Sequence, residues 1–413
     1  MTRRVVITGL GIVSPLGIGS TFFFGNLMAG KSGIRRLQQE FVEKLDIKIG
    51  ANVENFDPTA YFSKIKLTGM ERFSQFALVA AEEAVRDAQL QLDETELPRA
   101  GVYMGTGMGG AGTLEEGYIE VFLRDNPRIK PFSVLLAMNN AAASHLSLTY
   151  RLQGPNVTFS TACASSAIAI GEAYRQIRHG YTDVMLAGGS EAMLTFGAMK
   201  AWEALRTLAP EDPSDPGASC KPFSKNRNGL VLGEGAAVLV LEDADRALKR
   251  GAKIYAEIAG YDCASDASHI TKPDAAGQTR AIQNALRFAG MQPEEIGYIN
   301  AHGTATLAGD IEETKAIKAA FGEHAHRLAV SSTKSMHGHL MGATGAVEFM
   351  AAVLALQHQA LPPTINLHDP DPECDLDYVP NTGRRGVELN AVMSNSFAFG
   401  GSNAVLIARR YNP

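Results

Sequence analysis

Hydrophobic and polar positions follow two periods along the chain. Short runs rich in β-branched residues, such as residues 3–11 (RRVVITGLG) and 235–243 (GAAVLVLED), are typical of buried strands. Longer segments with apolar residues every three or four positions, such as residues 71–90 (ERFSQFALVAAEEAVRDAQL) and 278–290 (QTRAIQNALRFAG), indicate amphipathic helices. The pattern therefore predicts an α/β protein.

The same alternation continues through the rest of the chain. Before Arg250, further strands are expected at 100–107 and 183–189, with helices from about residue 164 and at 244–251. After Arg250, strands are expected at 253–263, 296–304 and 327–335, and helices at 309–322 and 345–359. The polar stretch 208–229, rich in Pro, Gly and Ser, predicts a loop. The element order predicts two similar halves, residues 1–250 and 251–413, although no residue-level repeat is visible.

Composition and charge narrow the function classes. A chain of 413 residues with 45% hydrophobic residues can bury a large core, and a net charge of −6 with scattered basic residues gives no reason to expect nucleic acid. No stretch reaches the roughly 20 apolar residues of a membrane span, and the N-terminus lacks the apolar core of a signal peptide. The four cysteines form no CxxC pair or zinc-ligand spacing. We therefore expect a protein of a reducing, cytoplasmic compartment.

Residues 105–110 (GTGMGG) match the GxGxxG pattern of dinucleotide sites. A Rossmann fingerprint opens the first βαβ unit and is followed by an acidic residue at the end of the next strand, whereas this stretch lies about a hundred residues along. Close backbone packing beside a cavity explains these glycines better than an NAD-dependent oxidoreductase does.

Cys163 lies in residues 159–170 (FSTACASSAIAI), at the predicted start of a helix. The positive end of a helix dipole and unpaired backbone N–H groups lower a thiol pKa and can hold an oxyanion. This placement is expected of a nucleophile. Cys220, Cys263 and Cys374 have no such surroundings and are expected to pack as small apolar residues.

Two segments of the second half place histidines among small residues. Residues 300–310 (NAHGTATLAGD) and 331–348 (SSTKSMHGHLMGATGAVE) hold three of the ten histidines and a lysine. Each histidine alone would most simply be a structural residue. Together with a helix-capping cysteine, they form a nucleophile with two groups that can polarise a substrate.

The motifs TACASS, NAHGTAT, STKSMHGH and NSFAFGGSN, in this order and spacing, resemble the β-ketoacyl-acyl carrier protein synthases of the thiolase superfamily. The closest resemblance is to the type II condensing enzymes of fatty-acid elongation, and it covers essentially the whole chain. It implies a thiolase-like five-layered αβαβα sandwich of two similar halves, and a homodimer. It also implies acyl carrier protein as partner, with no cofactor beyond the phosphopantetheine that the carrier brings.

The resemblance implies roles for the catalytic residues. Cys163 would take the acyl chain from a carrier thioester or an acyl-CoA, and His302 and His339 would promote decarboxylation of malonyl carrier protein and stabilise the enolate. Lys334 would support the histidines electrostatically. The backbone N–H groups of Cys163 and Phe399 would form the oxyanion hole, with the Phe399 side chain as a gate over the cysteine.

The resemblance also assigns binding and supporting residues. Thr304 and Thr306 match threonines that hydrogen-bond the pantetheine arm, and the positions along the acyl tunnel are Met108, Met193, Ala198 and Trp202. Asn300, Glu348, Ser394 and Asn395 match positions that hold a structural monovalent cation or a buried polar network. Because a buried ammonium needs a partner, Asp310 is expected to pair with Lys334.

The sequence departs from the family at the gate and at the carrier-docking face. Ala398 stands where a glycine is usual between two phenylalanines, which restricts the backbone of the gating loop. Thr68 and Gly69 replace a basic pair that usually meets the acidic carrier protein. Other basic residues are expected to compensate: Lys64, Lys66, Arg128, Lys130 and Arg206.

Other functions remain as alternatives. His337 and the SFAFGG motif also resemble specialised ketosynthases of nodulation, polyene or polyketide type, which act on dedicated carriers. A non-catalytic chain-length partner would lack the nucleophile Cys163, and a thiolase would need a second cysteine that NSFAFGGSN does not supply. The initiating condensing enzymes carry an asparagine where this chain has His339. Acyl chain length, unsaturation, the carrier's identity and any need for a partner subunit stay open.

Overall fold

The computed structural model describes residues 2–413, and its main sheet contains ten longer strands. Numbered in chain order, they are β1 Val5–Ser14, β2 Ala100–Gly105, β3 Asn156–Phe159, β4 Val184–Glu191, β5 Gly235–Asp243, β6 Ala256–Ser265, β7 Ile296–Asn300, β8 Ala329–Ser331, β9 Ala391–Phe397 and β10 Ser402–Arg409. Short strands of two residues lie at 17–18, 35–36, 49–50, 360–361 and 384–385.

The ten strands form two groups with the same internal order. The first group runs β3-β2-β4-β5-β1 and the second runs β8-β7-β9-β10-β6. In each group the first three strands are parallel and the last two join in antiparallel fashion. A short antiparallel pairing of β1 with β6, from Val5–Ile258 to Ile7–Ala256, connects the two groups. The strand order therefore shows a duplicated architecture that the residue sequence does not show.

The helices surround and separate these two groups of strands. They are α1 Ser20–Met28, α2 Lys64–Leu67, α3 Arg72–Asp87, α4 Ala111–Tyr118, α5 Ser133–Ala137, α6 Ala141–Tyr150, α7 Ser165–Arg178, α8 Phe196–Ala204, α9 Ala244–Lys249, α10 Ala275–Ala289, α11 Leu307–Phe321, α12 Lys334–His337 and α13 Thr344–His358. A π-helical turn, Ile119–Leu123, extends α4. Short 3₁₀ turns lie at 40–44, 58–60, 97–99, 162–164, 216–218, 293–295, 322–326 and 341–343.

The layers follow from the helix contacts. Helices α3 and α6 cover the outer face of the first group of strands, and α10 covers that of the second, with α11 packed beside it in the same core. Between the groups lie α7 and α13, which contact each other, and α13 touches strands of both groups. Helix α13 is buried from Thr344 to Leu356, which explains why its sequence is apolar on every face. The expected five-layered αβαβα sandwich of two similar halves is confirmed.

Most predicted elements appear within a few residues of their expected bounds, and β5 matches residues 235–243. Strand β3 has no counterpart among the strands expected from the sequence. It is four residues long and lies at the edge of the first group, where none of its residues is fully buried, so its apolar signal is weak. The boundary after residue 250 falls between α9 and β6 and stays a prediction. Among residues 2–413, no helix is both long and apolar enough to cross a bilayer.

Candidate active site

Cys163 lies on a strained turn between β3 and α7. The turn is a 3₁₀ segment, Ala162–Ala164, and Ala162 has a φ of 50°, which is unusual for a residue with a Cβ. Ser165 holds the turn, because its hydroxyl accepts a hydrogen bond from Thr161 N (2.9 Å) and donates to Ala162 O (2.6 Å). The strain therefore fixes the direction of the Cys163 side chain at the start of the central helix.

The second half brings two histidines to this cysteine. One nitrogen of His302, one nitrogen of His339 and the Cys163 sulfur all lie within 4.8 Å of one another, and all three residues are buried. The sulfur is 3.0 Å from His339 Nε2. The imidazole rings meet edge to face with centroids 5.5 Å apart. The three residues thus border one cavity of about 280 Å³.

Backbone contacts fix the hydrogen position on His339. Met341 N donates to His339 Nδ1 over 3.2 Å, so Nδ1 accepts and carries no hydrogen in the neutral ring. The remaining hydrogen is on Nε2, which points at the Cys163 sulfur. Gly338, with a φ of 69°, makes the turn that aims this ring, and an added Cβ there would lie 2.9 Å from Ala51 Cβ. His339 is therefore arranged as a hydrogen-bond donor.

His302 is held at both its backbone and its ring. Glu313 accepts hydrogen bonds from the backbone N–H groups of His302 (2.8 Å) and Gly303 (2.7 Å). Lys334 Nζ lies 3.4 Å from His302 Nδ1 and also donates to the His302 carbonyl. Because the ammonium faces Nδ1, the ring hydrogen of neutral His302 is on Nε2.

Burial keeps both histidines neutral. Loss of solvent, with the Lys334 charge as a second cause, moves the pKa values of His302 and His339 well below 6.5. Two neutral imidazoles with fixed N–H donors can stabilise negative charge on a substrate oxygen without first losing a proton.

The thiol departs from the sequence-based expectation. Burial raises the pKa of Cys163 to about 11, and the Lys334 charge and the N–H groups of Phe399 and Cys163 offset this only in part. The prediction that a helix N-terminus would lower this pKa is therefore wrong, since desolvation outweighs the local dipoles. The Phe399 and Cys163 N–H groups nevertheless point at the sulfur, where the resemblance places an oxyanion hole.

Lys334 pairs with Glu348 and not with Asp310. Its ammonium donates to both Glu348 oxygens, at 2.7 and 2.9 Å, and both side chains are almost fully buried. Asp310 instead lies 3.5 Å from Arg227 and accepts from the backbone of Phe223 and Ala305. The predicted Asp310–Lys334 pair is wrong, because helix α11 turns Asp310 toward the 208–229 loop. Burial raises the pKa of Glu348 to about 8, opposed by the Lys334 charge.

The structure adds residues that the sequence did not single out. Glu313 is one, and Glu191 is another, since it accepts hydrogen bonds from Gly107, Met108 and Gly342 N–H groups at 2.6 to 3.0 Å. An acidic residue amid apolar strand positions was the available signal for Glu191. This carboxylate explains the GTGMGG stretch as close packing, because the Gly107 and Met108 amides and the Thr106 hydroxyl donate to it.

Asn300, Ser394 and Asn395 are buried polar residues on two neighbouring strands beside the site. Asn300 and Ser394 are register partners on β7 and β9, and Asn395 Nδ2 donates to Glu313 over 3.1 Å. In the described structure, Asn300 Oδ1, Ser394 Oγ and Asn395 Oδ1 have no hydrogen-bond partner. Unpaired buried oxygens suit a hard monovalent cation or an ordered water. Asn300 and Ser394, which lie side by side on neighbouring strands, fit the cation or polar network that the resemblance implies, whereas Asn395 lies on the opposite face of β9, against Glu313.

The predicted binding residues divide between two cavities. Thr304, Thr306, Trp202 and Phe399 line the cavity that holds Cys163, and the Trp202 and Phe399 rings stack with centroids 5.9 Å apart. Met108 and Ala198 instead line a separate, apolar surface pocket, with Met108 40% exposed. Met193 is fully buried in the core. The acyl-tunnel roles of these residues stay predictions.

Two backbone hydrogen bonds hold the loop that carries Ala398. The Ala398 N–H donates to Ser402 O (2.9 Å), and Gly400 N donates to Ile270 O (2.7 Å), so the gating loop, which contains Ala398 and Gly400, is tied to the 266–273 loop.

The predicted docking lysines differ in their ion pairs. On α2, Lys64 and Lys66 are exposed with no ion pair among residues 2–413, whereas Lys130 pairs with Glu116 over 2.5 Å. The buried His337 accepts from the Thr333 hydroxyl and donates to Gly338 O, away from the sulfur.

Comparison with known proteins places this geometry in a family. The model of the beta-ketoacyl synthase N-terminal domain matches residues 2–247, and that of the C-terminal domain matches residues 255–368. The chain is 45% identical to the 3-oxoacyl-[acyl-carrier-protein] synthase 2 of Coxiella burnetii, over 99% of both chains. It is 42% identical to the protein of the same name from Synechocystis, over 99% of this chain and 98% of the relative.

Solved structures give the same result. A beta-ketoacyl synthase from Burkholderia phymatum STM815 superposes with a TM-score of 0.91 at 38% identity, over 99% of this chain and 100% of that one. The ketosynthase of a type II PKS, in complex with its acyl-carrier protein and bound to a hexaketide, superposes with a TM-score of 0.91 at 34% identity, over 100% of both chains. With two family domains matched around one Cys–His–His cavity, the chain belongs to the β-ketoacyl synthase family.

Proposed function

We propose that this protein is a type II β-ketoacyl-acyl carrier protein synthase of fatty-acid elongation. The observation that carries the proposal is the buried cluster of one thiol and two neutral imidazoles with fixed Nε2 hydrogens. Relatives named 3-oxoacyl-[acyl-carrier-protein] synthase 2, at 42 to 45% identity over the whole chain, support this choice over a polyketide ketosynthase, which is represented at 34%.

The first step transfers an acyl chain to Cys163. The sulfur attacks the thioester carbonyl of an acyl carrier, the carbon–sulfur bond to the carrier breaks, and the thiol proton leaves with the carrier's sulfur. The N–H groups of Cys163 and Phe399 stabilise the oxyanion. With the thiol pKa near 11, this attack depends on the neighbouring donors and on the Lys334 charge to support the developing thiolate.

The second step joins two carbons. The carboxylate of malonyl carrier protein leaves as CO2, and its bonding electron pair moves onto the thioester as an enolate. His302 and His339 donate hydrogen bonds from their Nε2–H groups to the enolate oxygen. The enolate carbon then attacks the acyl-Cys163 carbonyl, a carbon–carbon bond forms, the bond from the carbonyl carbon to the Cys163 sulfur breaks, and the released thiolate takes up a proton from solvent. The Lys334–Glu348 pair holds His302 and keeps its ring neutral.

The condensation needs no redox cofactor or metal, because decarboxylation supplies the electron pair that forms the new carbon–carbon bond. We therefore propose that the carrier's phosphopantetheine is the only group brought to the site, with Thr304 and Thr306 binding that arm. If a monovalent cation binds Asn300 and Ser394, it links strands β7 and β9, and β7 leads directly to His302.

We further propose acyl carrier protein as partner and a homodimer as the working form. Lys64, Lys66 and Arg206 are exposed and suit an acidic carrier. For the dimer, the region from Tyr118 to Met138 exposes several large apolar side chains, and β3 is an uncovered edge strand. The four unpaired cysteines suit the reducing cytoplasm, where a catalytic thiol stays available.

The test is a condensation assay with acyl carriers of increasing chain length and malonyl carrier protein, with products identified by mass spectrometry. We expect β-ketoacyl carrier protein two carbons longer than the donor, and a preference among ordinary saturated or monounsaturated chains. Turnover only with polyketide or polyene carriers would assign the specialised alternative. Absence of any product, with a properly folded dimer, would refute the condensing function.

A further inference from the structure

The turn that carries Thr304 and Thr306 is strained. Gly303 has a φ of 32° and Ala305 a φ of 65°, and a left-handed conformation at Ala305 costs energy because of its Cβ. The Thr304 and Thr306 hydroxyls are 3.0 Å apart and line the cavity that contains Cys163. Something outside the turn must therefore hold this shape.

Three consecutive carbonyls of the turn are held by one segment of the 208–229 loop. Gly229 N donates to Ala305 O over 3.0 Å. Arg227 Nε donates to Thr306 O over 3.1 Å, and Arg227 Nη2 donates to Leu307 O over 2.7 Å. The Arg227 side chain is 0% exposed, so these contacts replace all of its hydration.

Two carboxylates balance the buried guanidinium. Asp371 Oδ2 lies 2.5 Å from Arg227 Nη1, and Asp310 Oδ2 lies 3.5 Å from Nε. Asp310 also accepts from Ala305 N over 3.1 Å, so the same cluster holds both sides of the strained residue. Arg227 Nη1 also donates to Ser224 O over 2.8 Å, so the guanidinium serves three carbonyls and the Asp371 carboxylate at once, one acceptor more than the three N–H groups of a lysine ammonium can reach.

We propose that Arg227 is a positioning residue that holds the Thr304–Thr306 turn in the shape that binds the substrate's pantetheine arm. This inference rests on the proposed function. Arg227 does not line the cavity, so it acts through the two threonines, and Asp371 sets the orientation of its guanidinium. The cysteine and the histidines are held by other contacts and stay in place when this cluster loosens.

The test variant is Asp371→Asn, which removes the charge that fixes Arg227 and sits at a partly exposed site, so that folding is retained. Its matched control is Asp212→Asn, since Asp212 pairs with Lys221 over 2.7 Å and its side chain is 14% exposed against 15% for Asp371. Two rates are measured by mass spectrometry of the peptide that contains Cys163, because Cys263 is a second, exposed thiol: acylation by an acyl-pantetheine thioester, and alkylation by iodoacetamide, which lacks the arm.

For Asp371→Asn we expect a KM for the acyl-pantetheine thioester raised by about tenfold, with the maximal acylation rate and the alkylation rate within about twofold of the unmodified enzyme. Asp212→Asn should leave both reactions unchanged. In a Thr306→Val background, Asp371→Asn should add little further loss, because the arm contact is already gone. Arg227→Lys should show the same selective rise in KM.

Equal losses in acylation and alkylation, or fully additive effects of Thr306→Val and Asp371→Asn, would show a merely structural role and overturn the inference. An unchanged KM in Asp371→Asn and in Arg227→Lys would overturn it as well. These outcomes are separate from failure of the proposed function, which would appear as an unmodified enzyme that no thioester acylates although iodoacetamide still reacts.

Discussion

The two halves of the molecule share a strand order but divide the chemistry. After the second strand of the first half, the loop of residues 105–110 wraps its amides around the buried Glu191. After the second strand of the other half, the loop that begins at Ala301 donates the His302 and Gly303 amides to the buried Glu313. Each loop is thus held by a buried carboxylate, but only the second carries a histidine into the cavity.

The segments that follow the third strand of each half also carry different catalytic residues. In the first half the turn after β3 presents Cys163, and in the second half the chain after β8 presents Lys334 and His339. The first half therefore supplies a neutral nucleophile, and the second supplies the cation and both hydrogen-bond donors. The same strand order thus provides the frame in both halves, while each half supplies a different part of the reaction.

Removing the first half's contribution should have the largest effect. Cys163→Ala should lower condensation by about 10⁴-fold or more and abolish the acyl-enzyme, because Cys163 is the one thiol among the described residues that line the cavity. Cys163→Gln should keep malonyl decarboxylation, since the second half is intact. Steady-state condensation and CO2 release measure the two. Condensation at the unmodified rate in either variant would contradict the assignment of the nucleophile.

Removing the cation of the second half should come next. Lys334→Met should lower decarboxylation by about 10²–10³-fold, as expected for loss of a charge that supports the oxyanion donors. It also leaves Glu348 buried without a partner, so the double variant Lys334→Met/Glu348→Gln should recover stability without recovering activity. The surface pair Lys318–Asp375, at 2.8 Å, provides the control, because Lys318→Met should leave decarboxylation unchanged. Recovered activity in the double variant would argue against an electrostatic role.

The pH dependence of Cys163 alkylation tests whether the thiol of the first half titrates independently of the histidines of the second half. Since burial raises the pKa of Cys163 to about 11, the thiolate fraction should grow about tenfold for each pH unit from pH 7 to pH 10. The rate of iodoacetamide modification should follow this slope, because the histidines are already neutral in that range. A plateau beginning near pH 7 would instead show a thiolate–imidazolium pair.

The smallest expected effect is a fluorescence change at Trp202, the single tryptophan of the chain. Its ring stacks on Phe399 at the border of the Cys163 cavity. A long acyl chain on Cys163 should displace this stack and change the emission, whereas iodoacetamide should change it less. Cys163→Ala mixed with the same acyl donor is the control. Identical emission for acylated and free enzyme would show that the chain enters elsewhere.

The hydrophobic periodicity of the sequence was sufficient to predict the helices and strands of the layers, but it could not predict which residues pair with buried charges. Helix α3 and strand β5 could be predicted because their apolar spacing matches one face of a helix or a fully buried strand. The Lys334 partner could not, since Asp310 and Glu348 both follow nearby helix starts and only the packing of α13 against both groups of strands decides between them.

The site itself was found from motif order, while its electrostatics needed the fold. Cys163, His302 and His339 could be singled out as residues among small neighbours, but the raised pKa of Cys163 depends on how completely the folded chain excludes water from the thiol. Arg227 gave no signal because it lies in a polar loop among other charged residues. Its burial arises only when that loop folds against the Thr304–Thr306 turn.

The division of chemistry between the halves is tested most directly in the variants His302→Ala and His339→Ala. Each is incubated with an acyl carrier protein and followed by intact-protein mass spectrometry, before and after malonyl carrier protein is added. We predict that an acyl adduct forms on Cys163 in both variants, and that malonyl carrier protein discharges it at least about 10²-fold more slowly than in the unmodified enzyme. Discharge at the normal rate in both variants would contradict the assignment of enolate stabilisation to the second half, and failure to acylate would contradict the independence of the first.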